Sequence, residues 1–227
     1  MKKKFLEKNF DVKVYNLEQK TPYVVLIHGI WGTHKDLSFV KERLLPKKFR
    51  IISIQYPSVE KIETIVQKYI APTLEKLDSD VPIHFVVHSM GAVVLRYYLA
   101  NFAEQTGKVI MIAPANQGSD LVSMVPKRPL SLILGEAMFQ LKKNGAWMNE
   151  LPYLKKDTFI FMGNRSNNFL YSLFIKGEDD GMIAVESAKM GGFPVEIIDG
   201  QTHTSILKNE EVLLEIEKLL MKNGVGE

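Results

Sequence analysis

Val87-His88-Ser89-Met90-Gly91 places a serine directly after the apolar run Val81-Pro82-Ile83-His84-Phe85-Val86-Val87 and directly before a helical pattern. At a sharp strand-to-helix turn the backbone pushes the serine side chain out of the sheet, beside the positive end of the helix, where it can act as a nucleophile. A serine hydroxyl is a weak nucleophile at neutral pH. This chemistry therefore requires a base, an acid to orient the base, and N–H donors for a developing oxyanion. Cysteine is absent from the 227 residues, which excludes a thiolate nucleophile, a thiolate metal site and a disulfide framework.

The N–H of Met90, at the helix start, is the expected first oxyanion donor. His28-Gly29-Ile30-Trp31-Gly32 follows an earlier apolar run, and its glycines let the main chain fold back toward the serine, so the amide of Ile30 is the expected second donor. Five histidines compete for the base. Only His203 lies late in the chain, between the last strand and the last helix, where the order nucleophile, acid, base requires it. His28 and His88 flank their motifs and suit supporting hydrogen bonds, His84 falls inside a strand, and His34 has no catalytic companion nearby. Gly177-Glu178-Asp179-Asp180-Gly181 offers the acid, with Asp180 selected because it precedes Gly181 and can turn toward His203; Asp179, Asp120 and Asp199 are the alternatives.

These residues need elements to position them. Short apolar runs at Tyr23 to His28, Phe49 to Ile54, Ile83 to His88, Lys108 to Ile112, Thr158 to Met162 and Val195 to Ile198 suit strands buried on both faces. Between them lie helical spacings, such as Leu37, Val40, Leu44, Leu45 and Ile62, Ile65, Val66, Tyr69, Ile70. The alternation implies an α/β domain with a mostly parallel sheet of about six strands and helices on both faces. A last helix is expected from Thr204 or Ser205. No Pro/Gly/Ser-rich stretch divides the chain, so residues 1–227 read as one domain, with a lid-like or pocket-covering insertion at about 115–156 that lacks a clear strand. Leu130, Leu132, Ile133, Leu134, Met138, Phe139 and Leu141 could form an apolar helix there, lining a pocket or packing on the body. Phe169-Leu170-Tyr171-Ser172-Leu173-Phe174-Ile175 is read either as an apolar wall or as core or a subunit contact. The candidate pocket residues are Trp31, Leu134, Met138 and Phe169.

Together the motifs resemble the α/β-hydrolase superfamily, and in particular its small bacterial lipase-like and esterase-like members, from about Thr21 to Leu207. His28 to Gly32 looks like the family's oxyanion loop, His88-Ser89-Met90-Gly91 like its nucleophile elbow, Asp180-Gly181-Met182-Ile183 like its acid turn, and Thr202-His203-Thr204 like its histidine loop. Ala113 to Ser119 is similar to the turn that leads into the pocket-covering segment of lipase-like members. One position departs: the elbow usually reads Gly-x-Ser-x-Gly, and Val87 stands first here. The resemblance implies the α/β-hydrolase fold and a Ser89–His203–Asp180 triad acting on carboxylic esters without a cofactor.

Lys plus Arg number 29 against 26 Asp plus Glu, a net charge of +3 too small and too evenly spread to argue for nucleic acid. The histidines lack metal-ligand spacing, and Glu178-Asp179-Asp180 is short of an oxygen cage, so no metal is expected. No apolar run approaches the length of a membrane span, and the N-terminal residues do not read as a signal peptide. A cytoplasmic protein acting on a small acyl or lipid-like ester is therefore expected, with no nucleic-acid partner, no stable membrane insertion and an open oligomeric state. An acyltransferase or thioesterase using the same residues, or a non-catalytic binding module on the same fold, are the other readings.

Overall fold

The computed structural model describes residues 12–18, 21–126, 134–167 and 169–222, except the side chain of Phe169. Its strands are β1 (Val12–Tyr15), β2 (Tyr23–Ile27), β3 (Arg50–Ile54), β4 (Ile83–His88), β5 (Val109–Ile112), β6 (Thr158–Gly163) and β7 (Val195–Ile198). They form one sheet in the order β1-β3-β2-β4-β5-β6-β7, antiparallel only between β1 and β3. Every residue of β2, β3 and β5 is buried, as expected of β-branched runs covered on both faces. The expected six strands are all present within a residue at either end. A seventh described strand, β1, joins them: it is a four-residue edge strand that buries only Val12 and Val14 fully, so it leaves no continuous apolar run to read.

The helices are α1 (Ser38–Leu44), α2 (Ile62–Ile65), a π-helical stretch (Val66–Ile70) leading into α3 (Ala71–Leu74), α4 (Met90–Asn101), α5 (Asp120–Met124), α6 (Glu136–Gln140), α7 (Ala146–Glu150), α8 (Phe169–Ser172), α9 (Val185–Ala188) and α10 (Glu210–Met221). The chain steps from β2 sideways to β3 and then back past β2 to β4. Right-handed crossovers taken in opposite directions put their helices on opposite faces. The packing agrees, since α1 lies against α10 while α2 lies against α4. The last helix begins later than expected. Ser205–Lys208 is a 3-10 turn, and Asn209 caps α10 by accepting a 3.1 Å hydrogen bond from the Val212 N–H.

The reversal of direction between β2 and β4 opens a crevice at the carboxyl ends of those strands, where open α/β sheets take their ligands. The first turn of α4 is drawn tightly onto β2. A Cβ at Gly91 would lie 2.5 Å from the Ile27 carbonyl oxygen and 2.7 Å from that of His28.

The insertion joins β5 to β6 and contains α5, α6 and α7. Leu130, Leu132 and Ile133 of the expected apolar helix lie outside the described residues, but Met138 and Phe139 are buried on α6 as that pattern implies. Arg96 of α4, fully buried, closes the base of the insertion. Its guanidinium donates to the carbonyls of Asn116 at 2.6 Å, Leu151 at 2.6 Å and Pro152 at 3.2 Å. Burial pulls the Arg96 pKa down to about 10, which leaves it charged at neutral pH. Farther out, Glu63 of α2 accepts from Gln140 Nε2 at 2.8 Å and Trp147 Nε1 at 2.6 Å.

Gly91→Ala should cost about 1–3 kcal/mol of stability, because backbone oxygens rather than flexible side chains meet the added methyl. Urea denaturation at neutral pH measures it; a stability equal to wild type would show that α4 has room to move.

Candidate active site

Ser89 sits between β4 and α4 with φ 54° and ψ −122°, a left-handed region that non-glycine residues rarely occupy. Such strain costs on the order of 1–3 kcal/mol and persists only where the surroundings impose it. Here the Ser89 N–H donates to the Ile112 carbonyl at 3.1 Å, and the Ser89 carbonyl accepts from Ala92 at 3.1 Å and Ala115 at 3.4 Å. Val87, where the motif usually carries glycine, is a fully buried member of β4 paired in register with Ile27 and Met111. The close approach at this turn falls on Gly91, so a strand residue is accommodated at position 87.

His203 Nε2 lies 3.0 Å from Ser89 Oγ, and His203 Nδ1 lies 2.7 Å from Asp180 Oδ2. The other carboxylate oxygen of Asp180 accepts from the N–H groups of Met182 at 3.0 Å and Ile183 at 2.8 Å. A buried carboxylate with these partners can only accept, so His203 carries its proton on Nδ1 and turns the Nε2 lone pair toward the serine. The His203 main-chain N–H also donates to the Asp180 carbonyl at 2.8 Å. His203 is thus held to Asp180 by backbone as well as side chain.

The alternative carboxylates point elsewhere. Asp179 Oδ1 accepts from Ser172 Oγ at 3.1 Å and from the Gly181 N–H at 2.7 Å, which joins the acid turn to α8. Asp120 pairs with Lys143 Nζ at 2.9 Å, and Asp199 accepts from Asn164 Nδ2 at 2.9 Å. Among the other histidines, His34 meets Gln55, and His84 accepts from the Lys108 N–H at 2.9 Å. His28 stacks on Tyr56 with ring centroids 4.1 Å apart, and His88 reaches the His203 carbonyl at 3.0 Å.

The loop after β2 folds back onto the serine: a Cβ at Gly29 would come within 2.9 Å of Ser89 Cβ. In this loop the Gly32 N–H is taken by the Gly29 carbonyl at 3.2 Å and the Trp31 N–H by Ser58 Oγ at 2.7 Å. Among the described residues, the Ile30 and Met90 N–H groups have no such partner. Sequence reasoning missed Tyr56 and Ser58. Tyr56 donates its hydroxyl to the His28 carbonyl, and the two residues fix this loop from behind. Their signal was positional, since Tyr56-Pro57-Ser58 follows directly from the end of β3.

Ser89 and His203 border a cavity of about 330 Å³. Trp31, Val122, Met138, Leu141, Tyr171 and Phe174 are among the residues that line it. Leu134 does not border it. It packs partly buried against the core, where the chain enters α6. The Phe169 side chain lies outside the described residues. No Asp, Glu, Lys or Arg among the described residues lines the cavity, so an uncharged apolar group is what it can desolvate. No cluster of three or more His, Asp or Glu among the described residues is placed to hold a metal ion, and no described helix is long and apolar enough to cross a membrane.

The arrangement of the sheet and its helices has many counterparts among solved structures. Lipase BlEst2 of Bacillus licheniformis in its mature form superposes with a TM-score of 0.69 at 17% identity, over 88% of this chain and 92% of that one. This chain has the α/β-hydrolase fold. Other α/β-hydrolase neighbours are the metagenomic carboxyl esterase MGS0156, with a TM-score of 0.66 at 18% identity over 88% of this chain and 76% of that one, and the carboxylesterase CesB of Bacillus subtilis, with 0.57 at 15% identity over 93% and 87%. A family model described as "Putative serine esterase (DUF676)" matches residues 18–118. That span takes in the loop after β2 and the Ser89 turn of the α/β-hydrolase fold but ends before Asp180 and His203. No curated protein matches the chain.

Burial pushes the pKa of His88 down to about 3 and that of His84 to about 4, from an ordinary 6.5, with the neighbouring His203 and Lys108 respectively adding to the effect. Both are neutral when folded and free to ionise when unfolded. Their contribution to stability is therefore complete above about pH 6.5 and is lost as the pH falls toward the folded values. His88 alone should cost about 2 kcal/mol between pH 7 and pH 5. Urea unfolding at the two pH values measures the total, and His84→Gln should flatten the difference.

Proposed function

We propose that this protein is a serine hydrolase that cleaves carboxylic esters through an acyl-enzyme on Ser89. The observation that carries the reading is the unbroken hydrogen-bonded sequence from Ser89 Oγ to His203 to Asp180, at 3.0 and 2.7 Å. Ser89 Oγ attacks the acyl carbonyl while His203 Nε2 takes its proton. The C–O bond to the alcohol breaks as the imidazolium returns that proton to the leaving oxygen. Water, deprotonated by the same nitrogen, then attacks the acyl-enzyme and releases the acid.

During both steps the carbonyl oxygen becomes an oxyanion beside the N–H groups of Ile30 and Met90. Donors fixed by the fold stabilise that charge without reorganising at the moment of reaction. Asp180 keeps the Nδ1 proton in place and offsets the positive charge on the ring. The apolar cavity receives the acyl chain, so the substrate is an uncharged acyl or lipid-like ester. Transfer to an alcohol or thiol would use the same residues, and hydrolysis is favoured because water needs no dedicated site.

A fluorophosphonate probe should label wild type and not Ser89→Ala, and p-nitrophenyl ester hydrolysis should fall by about 10⁴-fold or more in that variant. Equal labelling of both proteins would sink the assignment. Asp180→Asn should lower kcat by about 10²- to 10⁴-fold, because the base then loses its tautomer and its counter-charge; Asp179→Asn should fall far less. Product analysis with and without added alcohols or thiols separates hydrolysis from transfer.

A further inference from the structure

His88 precedes the nucleophile and takes no proton in the scheme above, yet it is buried, 5% exposed, among three parts of the site. Its Nε2 lies 3.0 Å from the His203 carbonyl oxygen, and a carbonyl can only accept, so the His88 proton resides on Nε2. Its ring tilts against that of His203 at 46° with centroids 4.8 Å apart. On the other side Nδ1 has no hydrogen-bond partner among the described residues and faces Gly29, where an added Cβ would lie 3.3 Å away. One imidazole therefore fills the space between the loop of the base and the loop of the Ile30 amide.

The His203 carbonyl needs this partner. Past it the chain turns into the 3-10 segment, where Ile206 N–H goes to Thr202 and Leu207 N–H to Thr204, so among the described residues no main-chain N–H takes up the His203 oxygen. The His203 N–H is already anchored on the Asp180 carbonyl at 2.8 Å. With His88 on the other end, the peptide groups on both sides of the base are fixed. Because residues 88 and 89 are adjacent, a closed circuit runs from His88 to His203, from His203 to Ser89, and back through the chain.

We propose that His88 is a positioning residue for the reaction: its Nε2–H fixes the His203 main chain at the distance from Ser89 that proton transfer requires. The inference rests on the reading of His203 as the base. Burial keeps His88 neutral, so it neither repels the imidazolium formed on His203 nor competes for its proton. The effect is on geometry. A base displaced by a fraction of an ångström still permits substrate to bind in the cavity but transfers the proton less often.

The test is steady-state hydrolysis of p-nitrophenyl butyrate by the full chain carrying His88→Leu, His88→Asn or His88→Gln, with Ser89→Ala as background. Glutamine can place an amide N–H where Nε2 stands; asparagine reaches only the Nδ1 position; leucine has no donor. His88→Leu and His88→Asn should each lose about 10- to 100-fold in kcat with KM within about twofold of wild type, and His88→Gln should recover most of that loss. Should His88→Leu fail to fold, the Asn and Gln pair carries the comparison. A kcat within twofold of wild type in the Asn variant, or a Gln variant as slow as Asn, would overturn the proposal while leaving the assignment of Ser89 intact. Activity remaining in Ser89→Ala would instead overturn the function proposed above, and this inference with it.

Discussion

The backbone of Ser89 is held where few side-chain-bearing residues go, and the rest of the site is arranged around that constraint. Ser89 is kept there because both neighbours are rigid, β4 at the centre of the sheet and α4 drawn onto the β2 carbonyls through Gly91. Relaxing the turn would require breaking the hydrogen bond to Ile112 and lifting the helix. The side chain is thereby held at the mouth of the cavity, beside His203.

Charge in the site is handled by hydrogen bonding rather than by ion pairs with lysine or arginine. Asp180 is 1% exposed, and its carboxylate is met by two main-chain N–H groups and the imidazole. That set satisfies an ion that would otherwise be too costly to bury. The apolar wall of Met182 and Ile183 is then a by-product of the same turn, since the residues whose amides hold Asp180 also face the cavity.

Much of this was legible in the sequence because each main element is a continuous pattern. The strands buried on both faces read as unbroken β-branched runs, and their order put Ser89, Asp180 and His203 after three different strands. Choosing Asp180 over Asp179 came from its place before Gly181. The structure gives the two carboxylates different partners: Asp179 ties the turn to Ser172 while its neighbour Asp180 meets His203. What the sequence hid were features that depend on distant partners. The edge strand β1 buries one face of four residues, Asn209 rather than Thr204 or Ser205 starts the last helix, and Leu134 turns to the core while Leu141 reaches the cavity. Tyr56 and Ser58 belong to the site only because β3 ends beside β2.

Arg96 gathers Asn116, near the start of the insertion, and Leu151 and Pro152, toward its end, onto one guanidinium. The segment between those anchors is consequently a loop whose ends are fixed by the body of the protein, and for such a loop a doubling of length costs only about 0.6 kcal/mol in closure entropy. Strand pairing between β5 and β6 does not register how much chain lies between them. The part of the cavity wall that the insertion supplies can therefore be lengthened, shortened or exchanged as a cassette, leaving Ser89, His203 and Asp180 where the sheet puts them. The outline of the cavity and the triangle of Ser89, His203 and Asp180 are thus set largely by separate parts of the molecule.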